Sequence, residues 1–195
     1  MAAGRPRSFD LDTALDLATE VFWKKGFEGA SLPELTAAMG INRPSLYAAF
    51  GNKEALFRRA MDRYAQGPAA HVERALAEPT ARRVAERLLE GTVQLLSNPK
   101  HPRGCLLVQS ALACGTEAES VRDTLAAKRA AGEARLRQRL EKARGAGDLP
   151  KTARPADLAR YLMTVTQGLS VQAAGGATRK QLRDVARLAL AAWPS

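Results

Sequence analysis

The sequence has few of the residues that build disulfide, metal or cofactor sites. Its 195 residues include two cysteines and two histidines, and aromatic residues make up only 5%. A framework of several disulfides is therefore excluded. Neither histidine has a cysteine or carboxylate neighbour at metal-ligand spacing, so His71 and His101 are predicted to be surface or linker residues. We predict no metal and no cofactor.

Long apolar runs are also missing. No segment approaches the length that crosses a bilayer, and the first seven residues, MAAGRPR, lack the apolar stretch of a signal peptide. We therefore expect a cytoplasmic protein with no membrane partner. A glycine-rich phosphate loop and a paired-carboxylate pattern are absent as well, so the sequence predicts a protein that is not an enzyme.

Isoleucine occurs once, at Ile41, whereas alanine occurs 38 times. Alanine is the best helix former and β-branched residues favour strands, so the composition predicts an all-α fold. The chain is long enough for one ordinary domain or two small ones.

Positive charge is in excess, with 30 Lys and Arg residues against 20 Asp and Glu, a net charge of +10 and an isoelectric point near 10.2. This balance points to an anionic partner, nucleic acid first. Residues 1–66 nevertheless contain nine basic and eight acidic residues, so most of the excess follows residue 66. In residues 122–144, Arg129 and Arg139 fall near an apolar stripe while Arg137 and Arg144 fall away from it. We predict a solvated helix with snorkelling arginines rather than a second nucleic-acid site there.

Local signals are sharpest near the N-terminus. Apolar residues from Leu11 onward follow helical spacing until Gly26, a predicted left-handed helix end. Ser31 and Glu34 then form a capping-box pattern that opens a short helix ending at Gly40.

A second short helix follows after a tight turn. Asn42 is a good N-cap for residues 43–50, and Asn52 opens a further helix that is broken after residue 66. Two short helices joined by a glycine-containing turn are typical of a helix-turn-helix, whose second helix enters the major groove of DNA. Leu46 and Phe50, four residues apart, are predicted to face the core with Leu35.

The opposite face of this second helix carries the candidate DNA contacts. Arg43 is its only long donor and suits guanine O6 and N7, while Pro44 suits a thymine methyl. The hydroxyl groups of Ser45 and Tyr47 suit phosphate. Lys53 lies in the first turn of the following helix, where free backbone N–H groups also favour a phosphate.

Residues 26–31, GFEGAS, and 40–56, GINRPSLYAAFGNKEAL, resemble the DNA-binding domain of the TetR family of bacterial transcriptional regulators. The resemblance covers roughly residues 8–66. It implies an all-helical homodimer that binds a palindromic operator through a helix-turn-helix. It also implies a larger C-terminal domain that binds an effector and releases DNA. We therefore expect a three-helix DNA-binding domain over residues 1–66 and an effector-binding and dimerisation domain over residues 67–195.

The resemblance also implies six DNA-contacting residues: Ser31, Arg43, Pro44, Ser45, Tyr47 and Lys53. Ser31, Tyr47 and Lys53 would hold phosphate, and the other three would lie in or along the groove. Many family members have larger side chains where this sequence has Ala48 and Ala49, so base readout is expected to use few groups. Arg5 and Arg7 are expected on a flexible arm.

The remaining sequence predicts further helices, from Thr80 to about residue 97, from Cys105 to Cys114, and over residues 119–144, 155–175 and 178–193. Along the helix at 155–175, a seam of residues recurs at alternating spacings of four and three: Leu158, Leu162, Val165, Leu169 and Gln172. The resemblance places the dimer interface in the last two helices. The alternative is that the seam packs inside one subunit.

Several functions remain open on the sequence alone. The first is a repressor released by an unknown small-molecule effector. A second is a repressor of the same family that senses oxidants or electrophiles through Cys105 or Cys114. If both cysteines lie on one straight helix they point to opposite faces, which disfavours a disulfide between them. A third is a sequence-tolerant architectural DNA binder that relies on net charge, and a fourth is a helical ligand-binding protein or enzyme with a decayed DNA domain.

Overall fold

The protein, as a computed structural model, is described over residues 9–113 and 118–194. All regular structure in that part is α-helical, as the composition predicts. The helices are α1 (Leu11–Gly29), α2 (Leu32–Met39), α3 (Arg43–Phe50), α4 (Lys53–Gln66), α5 (His71–Leu76), α6 (Ala81–Leu96), α7 (Leu106–Ala113), α8 (Glu119–Gly145), α9 (Pro155–Ala174) and α10 (Arg179–Ala191).

Helix α1 begins and ends on local sequence signals. The Asp10 carboxylate accepts a hydrogen bond from the Thr13 amide at 2.7 Å and caps its first turn. Gly26 has φ 70°, so the regular helix is interrupted where the sequence predicts its end. A short helical stretch then continues to Gly29, which the sequence analysis did not include.

Trp23 joins α1 to the loop before α7. Its side chain is buried, and its indole Nε1 donates to the Gly104 carbonyl at 2.9 Å. The Tyr64 ring of α4 meets the indole edge-on at 4.7 Å, and the His101 ring stacks on it at 5.1 Å. The core around α1–α4 therefore includes residues from the later helices, among them Leu106 and Leu125. A second core joins α5, α6, α8, α9 and α10.

The basic residues of α8 bind to neighbouring helices. Lys128 pairs with Asp62 of α4 at 2.6 Å. Arg135 donates two hydrogen bonds to Glu73 of α5, at 2.5 and 2.6 Å. Arg139 is half-buried and donates to backbone carbonyls of residues 76, 78 and 79. Arg129 is also half-buried while Arg137 and Arg144 are exposed, as their positions relative to the apolar stripe predict. The Arg129 Nη1 atom is nevertheless buried, and Arg139 donates to backbone carbonyls, so these two heads are not simply in water as snorkelling predicts.

Helix α5 and the burial of His71 correct the sequence analysis, which placed His71 on the surface or in a linker. His71 is only 9% exposed, and its Nε2 lies 3.3 Å from the Thr92 hydroxyl of α6. Gly91 leaves the space that the imidazole fills, since a Cβ there would lie 2.6 Å from the ring. This fit joins residues 20 apart, and no local pattern reports it. His101 is half-buried against Trp23.

Cys105 and Cys114 do not both fall within a described helix. Helix α7 begins at Leu106, so Cys105 lies just before it with a half-buried free thiol. Cys114 lies outside the described residues, as do Arg5 and Arg7. Within the described ranges, no group of His, Cys, Asp and Glu side chains could hold a metal ion. No helix there is long and apolar enough to span a bilayer.

The burial of His71 predicts a pH-dependent stability. Burial lowers the pKa of His71 from 6.5 to about 4, against a smaller opposing effect of the Pro68 carbonyl. The unfolded chain therefore binds a proton more readily than the folded protein, and stability is lost as the pH falls from 6.5 towards 4. This group alone should lower the free energy of unfolding by about 3 kcal/mol across that window.

Urea denaturation at fixed protein concentration measures this loss. His71→Gln removes the titrating group and should flatten the pH dependence between about pH 6.5 and pH 5.5, above the pKa of ordinary Asp and Glu carboxyl groups. An equally steep decline in the variant and the wild type would contradict the assignment.

Candidate nucleic-acid interface

The turn between α2 and α3 depends on Gly40. Its φ is 65° and its ψ 30°, in the left-handed region that glycine adopts with least strain. The Gly40 amide donates to the Ala37 carbonyl at 3.2 Å, and the next amide donates to the Thr36 carbonyl at 3.1 Å. The side chain of Asn42 then accepts from the Ser45 amide at 2.8 Å and starts α3. The two helices are thus joined by only three residues.

Helix α3 divides into a buried and an exposed face, as predicted. Leu46 is fully buried and Phe50 is 4% exposed, and both pack in the core that contains Leu35. Arg43, Pro44 and the neighbouring residues on the outer face are exposed, and Tyr47 is 47% exposed. The core contacts fix the rotation of α3 about its axis, so the outer face is held outward.

Arg43 is the long cation of that outer face. Its guanidinium group makes no hydrogen bond or ion pair with any residue in the described ranges, so its donors are available to a ligand. Ser45 is half-buried on the same helix, and Pro44 occupies its first turn, where a missing N–H costs nothing. This surface has one forked donor and several small groups.

Lys53 is held beside this surface by an aromatic ring. It is the first residue of α4, which the Asn52 side chain caps through the Ala55 amide at 2.8 Å. The ammonium Nζ lies 4.5 Å from the centroid of the Phe27 ring, an attractive cation–π geometry. Partial burial lowers the pKa of Lys53, and the charge of Glu28 opposes that shift. The cation therefore has a defined position at a helix N-terminus.

Ser31 is occupied by its own capping box. Its hydroxyl donates to Glu34 Oε2 at 2.9 Å and accepts from the Glu34 amide at 3.3 Å. Lys25 also donates to the Glu34 carboxylate, and together with the Ser31 donors it lowers the pKa of Glu34 to about 2. A phosphate at Ser31 would compete with this carboxylate for the hydroxyl proton.

Arg59 supports the interface from α4, and the sequence analysis did not identify it. Its guanidinium lies 4.8 Å from the centroid of the Phe50 ring and donates to the Ala49 carbonyl at 3.3 Å. These contacts hold the last turn of α3 against α4. Arg63, on the next turn of α4, donates to both carboxylate oxygens of Asp16 at 2.6 and 2.8 Å and so holds α4 to α1. These contacts join different helices, so no local pattern marks them.

Two family models match this chain. The model for "Bacterial regulatory proteins, tetR family" matches residues 14–60, and the model for "Tetracyclin repressor-like, C-terminal domain" matches residues 80–192. The chain belongs to the TetR family of bacterial transcriptional regulators. The first match spans α2, the turn and α3, the elements whose geometry is described above.

Relatives of known name agree with this assignment. The HTH-type transcriptional repressor ComR of Escherichia coli is 33% identical over 193 residues, which cover 98% of this chain and 92% of ComR. A cysteine mutant of the TetR family regulator CifR, solved with 26-bp operator DNA, is 46% identical with a TM-score of 0.91, covering 97% of this chain and 100% of CifR. A TetR regulator from Rhodococcus sp. RHA1 is 40% identical with a TM-score of 0.64, covering 95% and 99% of the two chains.

A TetR family homodimer requires an apolar face between its subunits. In the predicted seam of α9, Leu162 and Leu169 are buried in the subunit's own core. Leu158 and Val165 are half-buried and Gln172 is exposed, so packing inside one subunit accounts for only part of the seam. Large apolar side chains that remain exposed on the last two helices are Tyr161, Val171, Val185 and Leu188. We call these four residues the apolar face.

The apolar face predicts the effect of a charge at its most exposed residue. Leu188 is 67% exposed, and a carboxylate there would be desolvated and unpaired if the face is buried between subunits. Leu188→Glu should convert the dimer into a folded monomer in sedimentation-velocity experiments. Leu17→Glu introduces the same change on α1, at a leucine that is 37% exposed, and should remain dimeric. An unchanged dimer in the Leu188 variant would contradict this face.

Proposed function

We propose that this TetR family regulator is a dimeric repressor that binds a palindromic operator and is released by a small-molecule effector. The observation that carries the proposal is the outer face of α3, where the guanidinium of Arg43, without a partner among the described residues, is presented beside Tyr47 while Leu46 and Phe50 anchor the helix. In a dimer, two such helices would enter major grooves about 34–36 Å apart. The proposed activity is regulation of transcription, not catalysis. We infer a cytoplasmic location, because bacterial DNA lies in the cytoplasm.

Six residues are assigned to DNA: Ser31, Arg43, Pro44, Ser45, Tyr47 and Lys53. Arg43 is assigned to base edges because its fork of donors suits guanine. Tyr47 is assigned to phosphate because its side chain is exposed and its hydroxyl suits a phosphate oxygen. Lys53 is assigned to phosphate because its fixed ammonium lies at a helix N-terminus, and both favour an anion. Ser31 is assigned to phosphate mainly because it lies at the N-terminus of α2. Its hydroxyl already donates a hydrogen bond to the Glu34 carboxylate.

The effector is assigned to the C-terminal helices, within a domain proposed to cover residues 67–195 after a DNA-binding domain of residues 1–66. Buried polar atoms support this assignment. Ser110 Oγ on α7 and Arg129 Nη1 on α8 have no hydrogen-bond partner within the described ranges. Such groups are costly when unpaired, and a bound ligand can supply their partners. Effector binding would then favour a conformation whose α3 spacing no longer fits the operator.

Selection of DNA fragments bound by the wild-type protein tests the operator. A palindromic consensus is expected, and Arg43→Ala should weaken binding to it by about 1–3 kcal/mol per half-site and relax the preference at one base pair. Lys53→Ala should weaken binding to all sequences alike and reduce the salt dependence. The control Arg137→Ala removes an arginine that pairs with Glu141 on α8 and should leave affinity unchanged.

Failure of the selection to enrich any sequence would favour the architectural DNA binder instead. That protein would show a steep salt dependence with equal affinity for operator and random DNA. Ligand binding without any effect of the Arg43 or Tyr47 variants on DNA would favour a decayed DNA-binding domain.

The position of Cys105 favours a second route of release, by a thiol-reactive effector. Its half-buried thiol follows Gly104, whose carbonyl accepts from Trp23, and it lies beside the Tyr64 ring. Burial, with a further contribution from this thiol, raises the pKa of Tyr64 well above 10. A group added to the sulfur would compete for space with Tyr64 and with the Gly104 backbone, and both contact Trp23 of α1. A similar regulator, CifR, was studied with its cysteines mutated.

Alkylation by iodoacetamide tests this route. The Cys105 sulfur would form a bond to the acetamide carbon, iodide would leave, and the thiol proton would pass to solvent. Alkylated Cys114→Ser protein, which retains Cys105, should bind operator roughly tenfold or more weakly, a loss of about 1.4 kcal/mol. Cys105→Ser protein treated in the same way should keep its affinity. Full operator affinity in the alkylated Cys114→Ser variant would exclude the route.

A further inference from the structure

A groove on the C-terminal domain has an apolar floor and a basic wall. Helices α6 and α10 border this groove, which has a volume of about 370 Å³. Its floor is the half-buried Leu190 of α10 with the edge of Val93 of α6, which is 4% exposed, and the fully buried Leu89 lies beneath them. The wall consists of Arg179, Arg183 and Arg187. We call this site the basic groove.

The three arginines are spaced four residues apart along α10 and so stack on one face at intervals of about 6 Å. Two of them have no hydrogen-bond or ion-pair partner among the described residues. Arg187 pairs with Asp184 at 3.3 Å, and Lys180 donates to the same carboxylate at 2.9 Å. Arg179 and Arg183 form no hydrogen bond or ion pair with any residue in ranges 9–113 and 118–194. The charge of Arg183 adds to those of Lys180 and Arg187 in lowering the pKa of Asp184, so one carboxylate is shared by three cations.

The acidic residue of the groove is already engaged. Glu90 lies on the α6 side, and its carboxylate is 3.8 Å from the guanidinium of Arg87. Gln94, one turn further along α6, adds a neutral amide. The groove therefore has an excess of positive charge at the edge of an apolar floor, and the methylene stems of the arginines extend that floor.

The basic groove is separate from the apolar face. The buried stripe of α10, formed by Leu182, Ala186 and Ala189, runs between them. On a helical projection the three arginines lie on one flank of this stripe, while Val185 and Leu188 lie on the other. A partner subunit on the apolar face would therefore leave the groove open.

We propose that the basic groove binds a small amphipathic organic anion. Its oxyanion head, a carboxylate or a phosphate, is held by the guanidinium groups of Arg179 and Arg183, and its short alkyl chain lies over Val93 and Leu190. Planar guanidinium groups match both heads with paired hydrogen bonds. A volume of about 370 Å³ lies within the range of small-molecule sites. Binding at this site requires neither DNA nor its release, so the inference stands apart from the proposed function.

Isothermal titration calorimetry on the full-length dimer tests the proposal with three probes of equal chain length, octanoate, octyl phosphate and octan-1-ol. One or both anions should bind, and octan-1-ol should bind at least roughly tenfold more weakly because it lacks the charged head. The stronger of the two anions identifies the head that the groove prefers. The variant Arg179→Gln with Arg183→Gln should lose roughly tenfold to a hundredfold in affinity for that anion.

A matched control removes two positive charges at a site away from the basic groove. Lys142→Gln with Lys151→Gln changes two exposed lysines on α8 and the loop that follows it, and should bind the anion like the wild type. All changed residues are exposed, and circular dichroism and sedimentation verify fold and dimer. The proposal is overturned if no anion binds, if the arginine variant binds like the wild type, if both variants lose affinity equally, or if octan-1-ol binds as tightly as the anions.

Discussion

The burial of Trp23 between α1 and the loop before α7 is the contact on which the orientation of the DNA-binding elements depends. Its indole donates to the Gly104 carbonyl and also packs against Tyr64 of α4. From there Arg63 fixes α4 to α1, and Arg59 fixes α3 to α4. Because protein interiors are close-packed, a displacement at Gly104 would press on Trp23, which these contacts connect to α4 and α3. They are a continuous set of contacts between the loop before α7 and the helix proposed to enter DNA.

The position of charge matters more for DNA binding than its total. Four of the seven basic residues of the first four helices pair with carboxylates, namely Lys24, Lys25, Arg58 and Arg63. In α8, the segment with the greatest surplus, Lys128 and Arg135 bind α4 and α5. The net charge of +10 therefore supports association with DNA only in a general way. Arg43 and Lys53 are the two cations whose positions suit contact with DNA.

The sequence was sufficient to predict the elements whose signals are local. The capping box at Ser31, the glycine-containing turn at Gly40 and the four-residue spacing of Leu46 and Phe50 each depend on neighbours in the chain, and the structure has all of them. Helix α5 and the burial of His71 were not predicted. They depend on the space that Gly91 leaves on α6, a contact that only the folded chain creates. The support of α3 by Arg59 was not predicted either, because it too depends on a contact between two different helices.

Helix α10 shows how one amphipathic pattern can serve two surfaces. Only a narrow stripe of α10, formed by Leu182, Ala186 and Ala189, packs in the subunit core. The helix surfaces on either side of this stripe are exposed and differ in chemistry. The flank with Val185 and Leu188 exposes apolar area, which is most stable when another apolar surface covers it. The flank with Arg179 and Arg183 keeps its charge in water, and burying it against a second copy would bring like charges together. The distribution of charge on α10 therefore favours the apolar flank for the partner subunit and the basic flank for a small anion.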